Sequence, residues 1–149
     1  MRKMGMGAVL VSLFVAGGNP SSAEDAAVAC SLNKTDPTIK GTYVDDFGGA
    51  QGVSATYWTS QALVFEICSV DNNRKRIIAQ NDSRNQFNPG KFSRFEWTNF
   101  KNRLWYCQSV FDAPTAAAAD AAPPADASNP VDGGCGGQFP WTSLIKILP

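Results

Sequence analysis

From Thr38 to Phe111 polar and apolar residues alternate with a period of two, and clusters of turn formers break the pattern at intervals of about ten residues. No helix of ordinary length fits such a pattern, and an antiparallel meander does. Thr38 to Val44 reads as a first strand, ended by Asp45-Asp46-Phe47-Gly48-Gly49, and Val53 to Thr59 as a second. Leu63 to Val70 is a nearly continuous apolar run, the pattern of a well-buried third strand. Asp71-Asn72-Asn73 supplies a turn, since Asn and Asp bond their own backbone and tolerate positive φ. Arg76 to Gln80 returns as a fourth strand, and Asn81 to Lys91, rich in Asn, Ser, Pro and Gly, is an exposed loop.

Phe92 to Thr98 and Leu104 to Phe111 form a hairpin around Asn99 to Arg103. In its first arm Ser93, Phe95 and Trp97 share one face, and Phe92, Arg94 and Glu96 the other. Residues 112–134 then change to Ala, Asp, Pro, Ser and Gly with almost nothing large to bury. Thr115 to Ala122 suits a short alanine-rich helix stopped by Pro123-Pro124. The remainder of that excursion must be held at both ends. Leu144 to Leu148 is apolar and short, as a closing strand would be. The expected fold is one all-β domain over residues 24–149, a small antiparallel meander barrel or sandwich of about six to eight strands.

Four cysteines allow three pairings, which sequence alone leaves open. Cys107 with Cys135 is the expected bond, because it would close the low-complexity excursion, leaving Cys30 with Cys68 to tie the N-terminal arm to the third strand. No pair has the two-residue spacing of a redox dithiol. Disulfides suit the first residues of the chain. Arg2 and Lys3 precede an apolar core from Ala8 to Ala16, broken by Gly17, Gly18 and Pro20, with small residues leading to a cut before Glu24. Residues 1–23 thus read as a secretory signal peptide, and the mature chain as secreted or periplasmic. Ala27-Val28-Ala29-Cys30 offers an alternative, a lipobox with an acylated Cys30, which would leave three cysteines.

Thirteen basic and thirteen acidic side chains balance, and loss of Arg2 and Lys3 leaves eleven against thirteen. No attraction to nucleic acid follows from that balance, and Arg74-Lys75-Arg76 is the basic flank of a hairpin. No second apolar run is long enough for a transmembrane span. The chain has no histidine, which removes Ser-His-Asp and Cys-His catalysis and imidazole metal sites. The acidic loops lack the spacing of a calcium loop. No metal and no cofactor is expected.

Four tryptophans and three tyrosines are the nearest thing to a functional signal, although most must fill the core of a small β-fold. Trp58, on the alternation shared with Ser54 and Thr56, is the first candidate for an exposed or cavity-lining ring. Trp97 and Trp105 join it as candidate ligand-binding residues. Glu66, between Phe65 and Ile67 in the most apolar strand, is either a carboxylate awaiting a ligand or a solvent-facing or Arg94-paired side chain.

The strings Ile78-Ala79-Gln80-Asn81-Asp82, Phe92 to Thr98, Leu104-Trp105-Tyr106-Cys107-Gln108 and Gly133-Gly134-Cys135-Gly136 resemble a family of small exported bacterial proteins with no known activity. That resemblance brings no catalytic residue with it. Cys30-Ser31-Leu32 and Gly41-Thr42-Tyr43 resemble the opening of avidin-like barrels, but their tryptophan spacing is missing and biotin binding is not carried over. The expected function is non-catalytic: an exported binding or envelope-associated domain for a small molecule or glycan. The alternatives are a glycan hydrolase using Glu66 and Glu96, whose carboxyl groups would have to lie about 5 to 10 Å apart in an open cleft, or a purely structural surface protein.

Overall fold

The computed structural model describes Cys30 and residues 35–137 and 139–147. The leader read into residues 1–23 and the lipobox residues 27–29 lie outside them. Over residues 35–147 the described elements are, in order, β1 Gly41–Asp45, β2 Ala50–Val53, β3 Tyr57–Ser60, β4 Leu63–Asp71, β5 Arg76–Asn81, β6 Phe92–Phe100, β7 Arg103–Ala113, α1 Ala116–Ala121, β8 Gly134–Cys135, β9 Phe139–Pro140 and β10 Thr142–Lys146. Strands β1 to β7 meander antiparallel, and β10 closes the cylinder between β7 and β1, so eight strands form a closed barrel without an edge. β8 and β9 pair separately.

Two strand readings are corrected. The second expected strand is a hairpin: β2 ends at Val53 and β3 returns with Trp58 opposite it. Ser54 makes the break, its hydroxyl accepting from Thr56 N (3.2 Å) and Tyr57 N (2.8 Å), a local bond that competes with the ladder. The first strand begins three residues later than expected. Residues 37–40 form a turn in which Pro37 and Ile39 are buried, and Tyr43 Oη donates to Ile39 O at 2.7 Å. That segment folds across one end of the barrel, here called the lower end. The β2–β3, β4–β5 and β6–β7 turns also lie there, and the β1–β2, β3–β4 and β5–β6 connections lie at the upper end.

The centre of the barrel is packed solid. Trp58 stacks on Phe95 with centroids 4.4 Å apart, and Phe65 meets Phe95 edge-on at 5.0 Å. Above and below them Val53, Ile67, Ile77 and Ala79 complete one apolar cluster. Both expected disulfides are present, Cys30–Cys68 and Cys107–Cys135. The Cys30 sulfur is therefore taken and has no valence left for the thioether that acylation requires. Cys68 is the extra residue where the β4–β5 register shifts; it faces outward, as alternation from Phe65 and Ile67 requires, and packs beside Ile78 and Phe92. The Cys107–Cys135 bond closes a 28-residue separation, worth about 3 to 4 kcal/mol in the chain-entropy model.

β6 is buried on both faces. Ser93, Phe95 and Trp97 point into the barrel, and Phe92, Arg94 and Glu96 point outward but lie beneath the excursion. α1 forms as read: Thr115 caps it by accepting from Ala118 N (3.1 Å), and it stops before Pro123. Arg94 is fully buried under it. Its Nε donates to Ser109 Oγ (2.9 Å), Nη1 to Ala119 O (3.2 Å) and Ala122 O (2.6 Å), and Nη2 to Pro123 O, with Glu96 Oε2 3.4 Å away. Four of the five guanidinium N–H groups thus meet an acceptor, three of these being carbonyls at the helix C-terminus, where a cation is favoured, and Glu96 balances the charge. Burial pushes the Arg94 pKa down, and Glu96 opposes it. Glu96 also accepts from Ala125 N (3.0 Å), and Arg76 binds Asp120 Oδ1 (2.7 Å).

Removing one partner of a buried ion pair typically costs about 3 to 5 kcal/mol. Arg94→Ala is expected to lose that much in urea unfolding and to open residues 112–134 to protease. A loss under about 1 kcal/mol with unchanged cleavage would show that Arg94 does not hold the excursion.

Candidate functional site

The four sequence candidates do not converge. Trp58 is fully buried in the core, where its Nε1 donates to Gln51 Oε1 at 3.1 Å, so it is neither exposed nor cavity-lining. The turn at residues 54–56 breaks the alternation that would have placed it with Ser54 and Thr56. Trp105 lies half-buried on the outer surface, with Nε1 donating to Phe100 O (3.2 Å). Glu66 is exposed on the outer face of β4, and Arg94 is spent on Glu96 instead. Trp97 does line a cavity, described below.

Paired-carboxylate chemistry is not assembled by Glu66 and Glu96. Glu66 pairs across to Gln80 and Glu96 to Arg76, so they stand two strands and four residues apart, roughly 16 Å by strand geometry. That is well beyond the separation a glycoside hydrolase uses.

Inside the upper half of the barrel lies a polar network. Gln51 Nε2 donates to Asp45 Oδ2 (2.9 Å), Ser60 Oγ (2.9 Å) and Tyr106 Oη (3.3 Å). Asp45 also accepts from Gly49 N (2.7 Å), and a Cβ at Gly49 would stand 2.6 Å from that carboxylate, so the turn needs glycine there. Burial, reinforced by the Asp45 charge, pushes the Tyr106 phenol up to about 12, while hydrogen bonds with Thr142 and Ser60 pull the other way. The network is internally satisfied and organises the β1–β2 turn.

Each end of the barrel has a mouth. The upper one, about 350 Å³, is lined by Leu63, Phe65, Phe87, Phe111 and the amides of Asn81, Asn88 and Gln108. Its amides are partly spent: Asn81 Nδ2 donates to Asn88 O (2.8 Å) and Phe111 O (3.0 Å), and Gln108 Nε2 to Ser93 Oγ (3.0 Å). The lower mouth is larger, about 640 Å³. Ile39, Tyr43, Trp97 and Leu144 make its buried floor, with Leu104 half-buried beside them. Its rim carries Lys75, Arg103 and Lys146 with Asn72, Asn99 and Asn102.

The backbone places this rim. Lys101 and Asn102 adopt φ of 49° and 60° in the two-residue turn between β6 and β7, and Lys75 adopts 55° at the end of the β4–β5 turn. Leu104 faces Leu144 across β7 and β10, and Lys146 faces Tyr43 across β10 and β1. Asn72 pins the lower segment to this end, accepting from Thr38 N (2.9 Å) and donating to Asp36 O (2.9 Å). A separate groove of about 370 Å³ beside Trp141 also contains Arg76, but that cation is bound to Asp120 and Glu96.

The fold and this mouth define a closed eight-stranded antiparallel barrel, filled at its centre, with an apolar-floored recess at one end. No family model, curated protein or solved structure matches the chain. Of the residues at the lower mouth, the sequence singles out Trp97 as a candidate ligand-binding residue and Tyr43 among the aromatic residues able to line a cavity. The signal for the others was turn parity: in a closed meander alternate turns share an end, which brings Lys75, Arg103 and Lys146 together.

The Tyr106 phenol should ionise near pH 12, against an ordinary value near 10. The unfolded chain then loses that proton first, so stability is lost as pH rises from about 10 to about 12. Ultraviolet titration against Tyr106→Phe checks this. A missing transition near pH 10 in the variant would contradict the burial of the hydroxyl in the network.

Proposed function

We propose that this chain is an exported, non-catalytic binding domain that holds a small molecule at the lower mouth of its barrel. The observation that carries the reading is the recess of about 640 Å³, which lies within the ordinary range for small-ligand pockets and has buried aromatic and aliphatic side chains under a polar rim. Trp97 and Tyr43 supply flat apolar surface, and the side chains of Asn99 and Asn102, unbonded among the described residues, supply donors and acceptors. Two disulfides suit an oxidising compartment, in keeping with the resemblance to small exported proteins. No helix among the described residues is long and apolar enough to cross a membrane. A purely structural role is supported by the packed centre but leaves this recess without a purpose.

Phenylnaphthylamine, a neutral aromatic probe, should bind with one-to-one saturable fluorescence. Asn99→Trp, at an exposed strand position on the rim, fills the mouth with a residue strands accept and should abolish binding without changing the thermal midpoint. No saturable binding, or binding unaffected by Asn99→Trp, would overturn the reading.

A further inference from the structure

We infer that the ligand of the lower mouth is a small amphipathic organic acid, its acid group held by Lys146, Arg103 and Lys75 and its apolar body resting on Trp97 and Leu144. The inference rests on the binding-domain reading above and adds the ligand's charge. Three cations border this recess, and no carboxylate is among the described residues lining it. Among the other described cations, Arg76 and Arg94 are answered by Glu96 and Asp120, Arg74 by Asp71, Arg84 by Asp82 and Lys40 by Asp36, while Lys91 and Lys101, which make no ion pair either, do not line the recess. Lys75, Arg103 and Lys146 take part in no ion pair among the described residues.

The position of Lys146 makes this more than a surface charge. It lies two residues beyond Leu144 and so continues the inward face of β10. Lys75 stands in the β4–β5 turn just before β5 and lines the same recess. A Cβ on Gly41 would come 3.0 Å from Lys146 Cε and 3.2 Å from the Tyr43 hydroxyl. Glycine at that position leaves room for the lysine stem to lie along the mouth, against the tyrosine of the floor. The nearest carboxylates in sequence are already engaged. Asp36 binds Lys40, and Asp71 accepts from Asn73 N (3.0 Å) and Arg74 N (2.9 Å). Unpaired cations over a low-dielectric floor attract an anion more strongly than the same charges in open water. An apolar floor in turn rejects a ligand that is all charge, which leaves an acid with an apolar ring or chain.

The test compares two probes with one ring system. Anilinonaphthalene sulfonate differs from phenylnaphthylamine by its sulfonate, and should bind at least about tenfold more tightly at low salt, since charges near a protein surface interact by that much or more. The preference should shrink several-fold between about 50 and about 500 mM NaCl. Lys146→Gln and Arg103→Gln should each weaken the sulfonate several-fold and leave the neutral probe unchanged, whereas Lys91→Gln, in the β5–β6 loop at the upper end, should change neither. Equal affinity for the two probes, or equal effects of Lys91→Gln and Lys146→Gln, would overturn the acid assignment while the neutral probe still reports an intact pocket. Failure of the neutral probe as well would mean that the pocket reading itself had failed. Acidic phospholipids present the same chemistry. Displacement of the dye by decanoate with no retention on phosphatidylglycerol vesicles supports a free acid, and retention would overturn that source.

Discussion

The buried Arg94 guanidinium is the constraint around which the outer half of this molecule is arranged. A buried arginine is tolerable only when its charge is paired and its donors are largely met; here the acceptors come from β7 and the end of α1, and the countercharge from Glu96 on its own strand. Three of them are backbone carbonyls that a six-residue helix would otherwise leave to water. The same contact therefore satisfies the strand's charge and the helix's end. It explains how a stretch of alanines, prolines and aspartates becomes an ordered cover over β5, β6 and β7. The Cys107–Cys135 bond fastens the far side of that cover.

Inside the barrel the division of labour is different. Trp58, Phe95 and Phe65 occupy the centre in mutual contact. Gln51, Asp45 and Tyr106 hold the upper turns. The recesses lie at the ends, and the lower one differs from the upper in both size and charge. The aromatic residues that make the barrel stable are thus mostly unavailable for binding. Trp97 is the exception, being buried enough to form part of the core yet placed where the core meets the recess.

Much of the barrel was legible in the alternation of β4 to β7 and in the apolar closing run, because the period-two pattern reports directly which face is buried. Both disulfides followed from where the low-complexity stretch needed closing. The hairpin at Ser54 escaped because serine and threonine fit an alternating strand as readily as a turn, and only the hydroxyl-to-backbone bonds decide between them. Trp58 was misplaced for that reason alone. Glu66 and Glu96 could be paired as carboxylates on the sequence alone, and only the register shows that one faces water and the other is clamped between two arginines. The lower rim was hidden because Lys75, Arg103 and Lys146 are far apart in sequence and join only when β10 closes the cylinder.

Amide chemical-shift mapping distinguishes binding at the lower mouth, as proposed, from binding elsewhere on the barrel. On titration with anilinonaphthalene sulfonate, the largest changes should fall on Thr38, Asn72, Lys75, Asn99, Leu104 and Lys146. Changes concentrated instead on Leu63, Phe87, Asn88 and Phe111 would place binding at the opposite end of the barrel and contradict the account.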